Sequence, residues 1–422
     1  MHKLNVLENG LKVATQTMDQ MSSVSLGIWI RVGARYEAKE NNGVSHLLEH
    51  ILFKGTTTRD TKAIKEEIEG RGGSFNGFTS EEHTCYLVKL LSKDCELGID
   101  ILSDMVLNPA MDAQEIEKEK DVIIEEINMY KDIPSHYVHE ILAEMMWPDQ
   151  PLGMPLAGTA ESVAGLTKKN LVSYKETYYN PKNILVIGAG GVDMDALLAI
   201  SKKYLSKMKP NSFPGYEKAK LDQPEPRIRI TSKEVEQTHI ALGLHSTDRF
   251  HPDRYALSLV NIILGANMSS RLYHRVRDEL ALCYEISSSV RRYEDAGAFT
   301  VSVGLDDKKV TKALSVIAEE LERIKREPVS SDELRRAKEY YKGQLLFALE
   351  DTMNNMLWLG EKILEAELDY EVRDILAHIE KVGAEDAMRV SKEIFREENV
   401  NLAIIGPDKF DEKAIREAVH IG

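Results

Sequence analysis

Three segments of this 422-residue chain recur in the same order in its second half, at nearly constant separation. VSLGIWI at Val24 resembles IALGLHS at Ile240, and LTKKNLVSYKETYYNPKN at Leu166 resembles VGAEDAMRVSKEIFREEN at Val382, both at the same offset. NILVIG at Asn183 resembles NLAIIG at Asn401, at an offset longer by two. Each match alone is weak, but together they call for two similar units of about 200 residues. Between them, Lys207 to Pro226 carries Pro210, Pro214, Pro224 and Pro226 without apolar periodicity, which reads as a linker. The expected organisation is a domain over 1–209, a linker over 210–226 and a second, homologous domain over 227–422.

Strand-like runs lie at Val24 to Val32, Thr84 to Leu90, Ile184 to Gly188 and Phe299 to Gly304. Helical patterns cover Thr61 to Glu69, Glu96 to Val106, Asp112 to Tyr130, Leu166 to Tyr178, Asp253 to Leu264, Ser331 to Ala348 and Glu385 to Phe395. The fold class is therefore α+β: two α/β domains, each a sheet packed with helices, joined by a Pro-rich linker. GAGG at Gly188 follows a strand like a nucleotide loop, but it lacks the third glycine and its copy reads GPDK. It reads as a structural turn.

Lys and Arg total 54 against 69 Asp and Glu, a net charge of −15. Such a chain has no basic surface for nucleic acid or anionic membrane. An acidic cavity for a basic peptide is compatible with it, as is a merely solvated acidic surface. Cys85, Cys95 and Cys283 match no zinc knuckle, and an odd count makes no disulfide framework. The N-terminus has no signal-peptide pattern and no apolar run approaches a membrane span, so a cytoplasmic protein is expected.

The chemistry concentrates in NNGVSHLLEHILFKGT, where His46, Glu49 and His50 form H-x-x-E-H. With Asn42 or Ser45 as N-cap and Gly55 as a stop, the segment is a helix. Positions i and i+4 share a face, so both imidazoles reach one ion, and Glu49 stands beside them, placed to touch a metal-bound water. Surface histidines on an ordinary helix are the bland alternative. Against it, Leu47, Leu48, Ile51, Leu52 and Phe53 mark the helix as mostly buried, and buried imidazoles and carboxylates need partners.

A catalytic zinc takes three protein ligands. The segment DAQEIEKEKDVIIEEINMY offers the third. If Ile116, Ile123 and Tyr130 mark its apolar face, positions 119 and 126 also point inward, and both are glutamates. A plain charged helix explains the many charges here but not Glu119 and Glu126 facing inward. Glu125 and Glu117 are rotated away and read as solvent-facing.

These motifs resemble the pitrilysin and mitochondrial processing peptidase family of inverted zinc metallopeptidases, in particular its short bacterial members. The resemblance spans the whole chain. The spacing from His50 to Glu126, within E-K-D-V-I-I-E-E-I, is the one the family keeps between its H-x-x-E-H and its ligand glutamate. The resemblance implies one Zn2+ per chain on His46, His50 and Glu126, with Glu49 as general base and Glu119 as a supporting carboxylate. Arg277 and Tyr284, in RVRDELALCYEI after NMSSRLY, would stabilise the oxyanion. Without the resemblance they read as a helix surface charge and a strand-start core residue. In GGSFNGFTSEEHTCY, the residues Asn76, Gly77, Phe78 and Thr79 stand where relatives have N-A-x-T, a sheet edge that takes the peptide as an added strand. Gly77 departs from the usual alanine.

The second half has no H-x-x-E-H; its matching region reads RYALSLVNIILG. It is expected to be non-catalytic and to supply Arg277 and Tyr284 to a neighbour, giving a homodimer whose active site is completed across chains. The implied activity is a zinc metalloendopeptidase (EC 3.4.24) acting on unfolded peptides or on leader and targeting segments inside a closed chamber. The alternative is a non-catalytic structural or partner subunit of a processing-peptidase-like assembly.

Overall fold

The computed structural model describes residues 2–365, 371–407 and 410–422. It contains two compact units, Met1–Asn128 with Met154–Glu217 and Leu346–Asp369, and Met129–Gly153 with Lys218–Leu345 and Tyr370–Gly422.

The first unit is built on six strands, β1 (Lys3–Val6), β2 (Lys12–Thr17), β3 (Ser23–Ile30), β4 (Ser74–Thr79), β5 (Thr84–Leu91) and β6 (Ile184–Gly190). Their order in the sheet is β1-β2-β6-β3-β5-β4. The second unit has β7 (Arg227–Ser232), β8 (Thr238–His245), β9 (Cys283–Arg292), β10 (Gly297–Leu305) and β11 (Val400–Gly406), in the order β7-β11-β8-β10-β9. The pairing repeats: β2 and β7 run parallel to β6 and β11, and the remaining shared neighbours are antiparallel. The second sheet is thus the first without β1.

Hydrogen-bond register corrects the sequence equivalences. Ile30 pairs with Ile184, and Leu244 pairs with Val400, so Ile30 corresponds to Leu244 and Ile184 to Val400. Asn183 therefore corresponds to Asn399 rather than Asn401, and Val24 to Thr238 rather than Ile240. Both equivalent asparagines make the same bond, Asn183 Nδ2 to the Tyr178 carbonyl (2.9 Å) and Asn399 Nδ2 to the Ile394 carbonyl (3.2 Å). An apolar strand looks alike after a slip of two residues, because that slip restores the same face. The helices Lys168–Tyr178 and Ala384–Ile394 keep the offset read from the sequence.

The units are not the two halves of the sequence. Helix Thr352–Gly360, from the second half, packs on β3 and β6 of the first unit. There Met356 and Leu359 join Trp29, Cys85, Leu185 and Ile187 in one buried cluster. Thr352 Oγ1 lies 2.9 Å from Ser25 Oγ, and Trp29 Nε1 donates to Met356 Sδ at 3.3 Å. Reciprocally, helix Pro134–Met146, from the first half, packs on β8 and β11 of the second unit, with Ile141, Leu142 and Met145 against Ala241, Ala403 and Ile405. Each sheet is covered on one face by the corresponding helix of the other half.

The 210–226 stretch has no regular structure, and the boundary between the units falls within it, after Glu217. It is docked rather than free. The Arg35 guanidinium sits 3.9 Å from the centre of the Tyr216 ring, and Gln223 Nε2 donates to the Val400 carbonyl at 3.0 Å. Gly188 and Gly190 complete β6 rather than forming a turn; both are buried, and a Cβ at Gly190 would meet the Ser23 carbonyl.

Candidate metal centre

His46, Glu49 and His50 lie on helix Val44–Leu52. Its apolar residues Leu47, Leu48, Ile51 and Leu52 enter the main core of the first unit. Neither Asn42 nor Ser45 is the N-cap. Gly43 takes that position with φ 92°, a left-handed conformation that suits glycine, and a Cβ there would meet the Ala157 carbonyl at 2.7 Å. The Glu37 carboxylate does the capping: it accepts from Gly43 N (2.7 Å), Ser45 N (2.8 Å) and Asn42 Nδ2 (3.0 Å). Ser45 Oγ instead meets the Tyr174 hydroxyl at 2.7 Å. The helix closes at Leu52, three residues before Gly55.

Helix Ala113–Asp132 brings the carboxylates. Ile116, Glu119, Ile123 and Ile127 are buried, so Ile127 rather than Tyr130 continues the inward face, while Glu117 and Glu125 are exposed. Glu126 Oε2 lies 3.9 Å from His46 Nε2 and 3.7 Å from His50 Nε2. One ligand atom from each of the three residues fits within 4.8 Å of the others, and among the described residues this is the sole such group of three. Two imidazole nitrogens and a carboxylate oxygen converging at this spacing suit zinc and leave room for a further ligand.

Glu119 stands behind the histidine. Its Oε2 is 3.2 Å from His50 Nδ1, and its Oε1 is 2.7 Å from Lys54 Nζ. With Nδ1–H given to Glu119, His50 offers Nε2 toward Glu126, the arrangement that fixes a metal-binding tautomer. Burial would raise the Glu119 pKa, but His50 and Lys54 together hold it below the usual carboxylate value. For His50, burial pushes the pKa down, yet Glu119, Glu49 and Glu126 outweigh it and leave it raised. His46 has no such support: burial, with His50 alongside, lowers its pKa to about 4, and its Nδ1 is buried without a hydrogen-bond partner among the described residues.

Glu49 is buried, and its pKa is raised mainly by desolvation, against the lowering influence of His50 and Thr79. Thr79 Oγ1 donates to Glu49 Oε2 at 3.2 Å. This joins the glutamate to β4, the edge strand that carries Asn76, Gly77, Phe78 and Thr79. Asn76 is exposed; Gly77 faces Glu49, and a Cβ there would lie 2.8 Å from the Phe53 ring and 2.9 Å from Glu49 Oε1.

Arg277 and Tyr284 belong to the second unit, Arg277 on the helical turn Tyr273–Glu279 and Tyr284 at the start of β9. They are neighbours: the Arg277 guanidinium lies 5.6 Å from the Tyr284 ring centre and 4.6 Å from that of Tyr273. Tyr284 is 79% exposed, so it is no core residue. Sequence reasoning missed Glu37 and Lys54. Lys54 lies one turn beyond His50 on the same face and was open to the same i,i+4 argument; Glu37 precedes the helix and has no periodic signal.

Residues 12–160 match the family described as Insulinase (Peptidase family M16), and residues 165–341 match the Peptidase M16 inactive domain. The Bacillus subtilis protein named "Uncharacterized zinc protease YmxG" is 34% identical over 407 residues, covering 96% of this chain and 98% of its own. A Mycobacterium tuberculosis protein, "Uncharacterized zinc protease Rv2782c", is 33% identical over 404 residues, covering 95% and 92%. A protease from Helicobacter pylori shares the fold, with a TM-score of 0.90 at 22% identity over 96% of this chain and 99% of that one. This fold and relatedness define a two-domain protein of the zinc-peptidase class. The chain belongs to peptidase family M16. Among the described residues, no helix is long and apolar enough to cross a membrane.

Proposed function

We propose that this chain is a zinc-dependent endopeptidase that hydrolyses unfolded peptides, including leader or targeting segments, with one Zn2+ per chain held by His46, His50 and Glu126. The observation that carries the reading is the convergence of those three donors within 4.8 Å beside the buried Glu49. A bound zinc would supply Lewis acidity toward the carbonyl and lower the pKa of water. Glu49 takes the proton of the attacking water and returns it to the leaving amine; burial raises its pKa above the usual carboxylate value, which makes it a better proton acceptor. Thr79 holds one Glu49 oxygen and leaves the other free for this work. Glu119 keeps His50 in its ligating orientation.

The peptide adds as a strand to β4, with Asn76 binding its backbone and Gly77 and Phe78 leaving it a close approach. Arg277 and Tyr284 come from the neighbouring chain of a homodimer and stabilise the developing oxyanion through guanidinium and phenol donors. The exposure of Tyr284 supports a role outside its own core. The protein works in the cytoplasm. Cleavage of a quenched, unstructured peptide by wild type, but not by Glu49→Gln, tests this reading.

A further inference from the structure

The two histidines of the candidate centre are held in different ways. His50 is oriented by a side chain, Glu119, at 3.2 Å. Among the described residues His46 Nδ1 is buried and meets no partner, so no side-chain hydrogen bond from them sets the angle of its ring. Its orientation must come from the backbone beneath it and from packing. That backbone is the first turn of helix Val44–Leu52, where the Ser45 N–H, one residue before His46, is fixed by Glu37 Oε1 and the Gly43 N–H by Glu37 Oε2. The Ser45 side chain is held from helix Lys168–Tyr178 by Tyr174, whose hydroxyl also reaches the Gly33 carbonyl at 3.3 Å.

From this contrast we infer that Glu37 is a positioning residue for the metal centre: its buried carboxylate sets His46 through the helix terminus, as Glu119 sets His50 directly. Glu37 is 3% exposed. Leaving a carboxylate in such a place is costly unless donors meet it, and three do, two of them backbone N–H groups at a helix N-terminus, where negative charge is favoured. The geometry requires a carboxylate. Oε2 accepts from both Asn42 Nδ2 and Gly43 N while Oε1 accepts from Ser45 N, so a glutamine amide would turn its NH2 toward at least one of these donors. Glu37→Gln keeps the volume but releases part of the first turn. Because His50 is held separately by Glu119, the consequence falls on His46.

This inference rests on the reading of His46, His50 and Glu126 as metal ligands, so the test measures metal uptake without catalysis. Metal-free wild type, Glu37→Gln, His46→Ala and Asp193→Ala are titrated with Co2+ alone, followed by its visible absorption and by competition with a chelator. Asp193 caps helix Met194–Leu205, away from the site, through Ala196 N; its variant measures what loss of a cap does to stability alone. Wild type is expected to bind one Co2+, Glu37→Gln to bind it at least about tenfold more weakly with a changed spectrum, and Asp193→Ala to lose Tm yet keep wild-type affinity and spectrum. Should Glu37→Gln not fold, Asn42→Ala, which removes one donor to Glu37, is expected to move affinity in the same direction by less. Wild-type affinity and spectrum in Glu37→Gln, or in its substitute Asn42→Ala, would overturn the inference. So would an equal loss of affinity in Asp193→Ala at matched Tm. Failure of wild type itself to bind, or unaltered binding by His46→Ala, would overturn the metal centre and the inference with it.

Discussion

Glu119 joins His50 and Lys54 in one short chain, with Oε2 3.2 Å from the imidazole Nδ1 and Oε1 2.7 Å from the ammonium. The carboxylate is buried, and Lys54 is about one-third exposed. Lys54 balances the charge of Glu119, which leaves the latter free to hold the imidazole rather than bind metal itself. Glu119→Gln should therefore leave the fold intact but weaken zinc affinity about 10- to 100-fold. Equilibrium dialysis against a zinc buffer measures this.

The same contacts set a pH dependence. A histidine ligates only when neutral, so protons compete with the metal. His46, with a pKa of about 4, stays neutral through the ordinary range, whereas His50 is raised above its usual value of 6.5. Zinc affinity should accordingly be full at alkaline pH and begin to fall, as pH is lowered, from above 6.5, with His50 taking up the proton. In Glu119→Gln, which loses a contact that raises the His50 pKa, the onset should move to lower pH. Zinc retention measured across pH for both proteins tests the sign.

The helix exchanged onto the first sheet makes a packing prediction. A Cβ on Gly360 would lie 2.3 Å from Cε2 of the fully buried Trp29 ring. Gly360→Ala should destabilise the protein by roughly 1–3 kcal/mol through overpacking, although position 360 lies far along the chain from Trp29. Chemical unfolding monitored by tryptophan emission provides the check, and unchanged stability would count against the exchange.

Completion of the site by a neighbouring chain has its own test. Glu49→Gln and Tyr284→Phe proteins should each be weak alone and recover activity when mixed under conditions that allow subunits to exchange. Absence of recovery in proven mixed dimers would remove the proposed role of Tyr284 in the neighbour's site.

What could be read from the sequence depended on which period carried the information. His46, Glu49 and His50 lie within one helical turn, and Glu119 and Glu126 share an inward face, so helical geometry alone gathered them. The strand equivalences were harder: Asn183 aligned with Asn401 as plausibly as with Asn399, because two-residue shifts preserve an apolar pattern, and only hydrogen-bond register settled it. Helices Pro134–Met146 and Thr352–Gly360 are amphipathic, but amphipathicity does not say which sheet a helix will cover. Glu37 was invisible for a related reason. Its capping bonds bridge six to eight residues through a non-helical turn and follow no repeat.

Peptide hydrolysis through Glu49 can be read in a single assay. An unstructured, internally quenched peptide of about twenty residues, a length that allows a strand to form along β4, is incubated with zinc-loaded wild type, with zinc-loaded Glu49→Gln and with wild type plus chelator. Wild type should cleave it, the chelator should abolish cleavage, and Glu49→Gln should bind zinc normally yet lose about 100-fold or more of the rate. Cleavage by Glu49→Gln at the wild-type rate, or none by folded, zinc-loaded wild type, would rule out Glu49 as the base of a zinc peptidase.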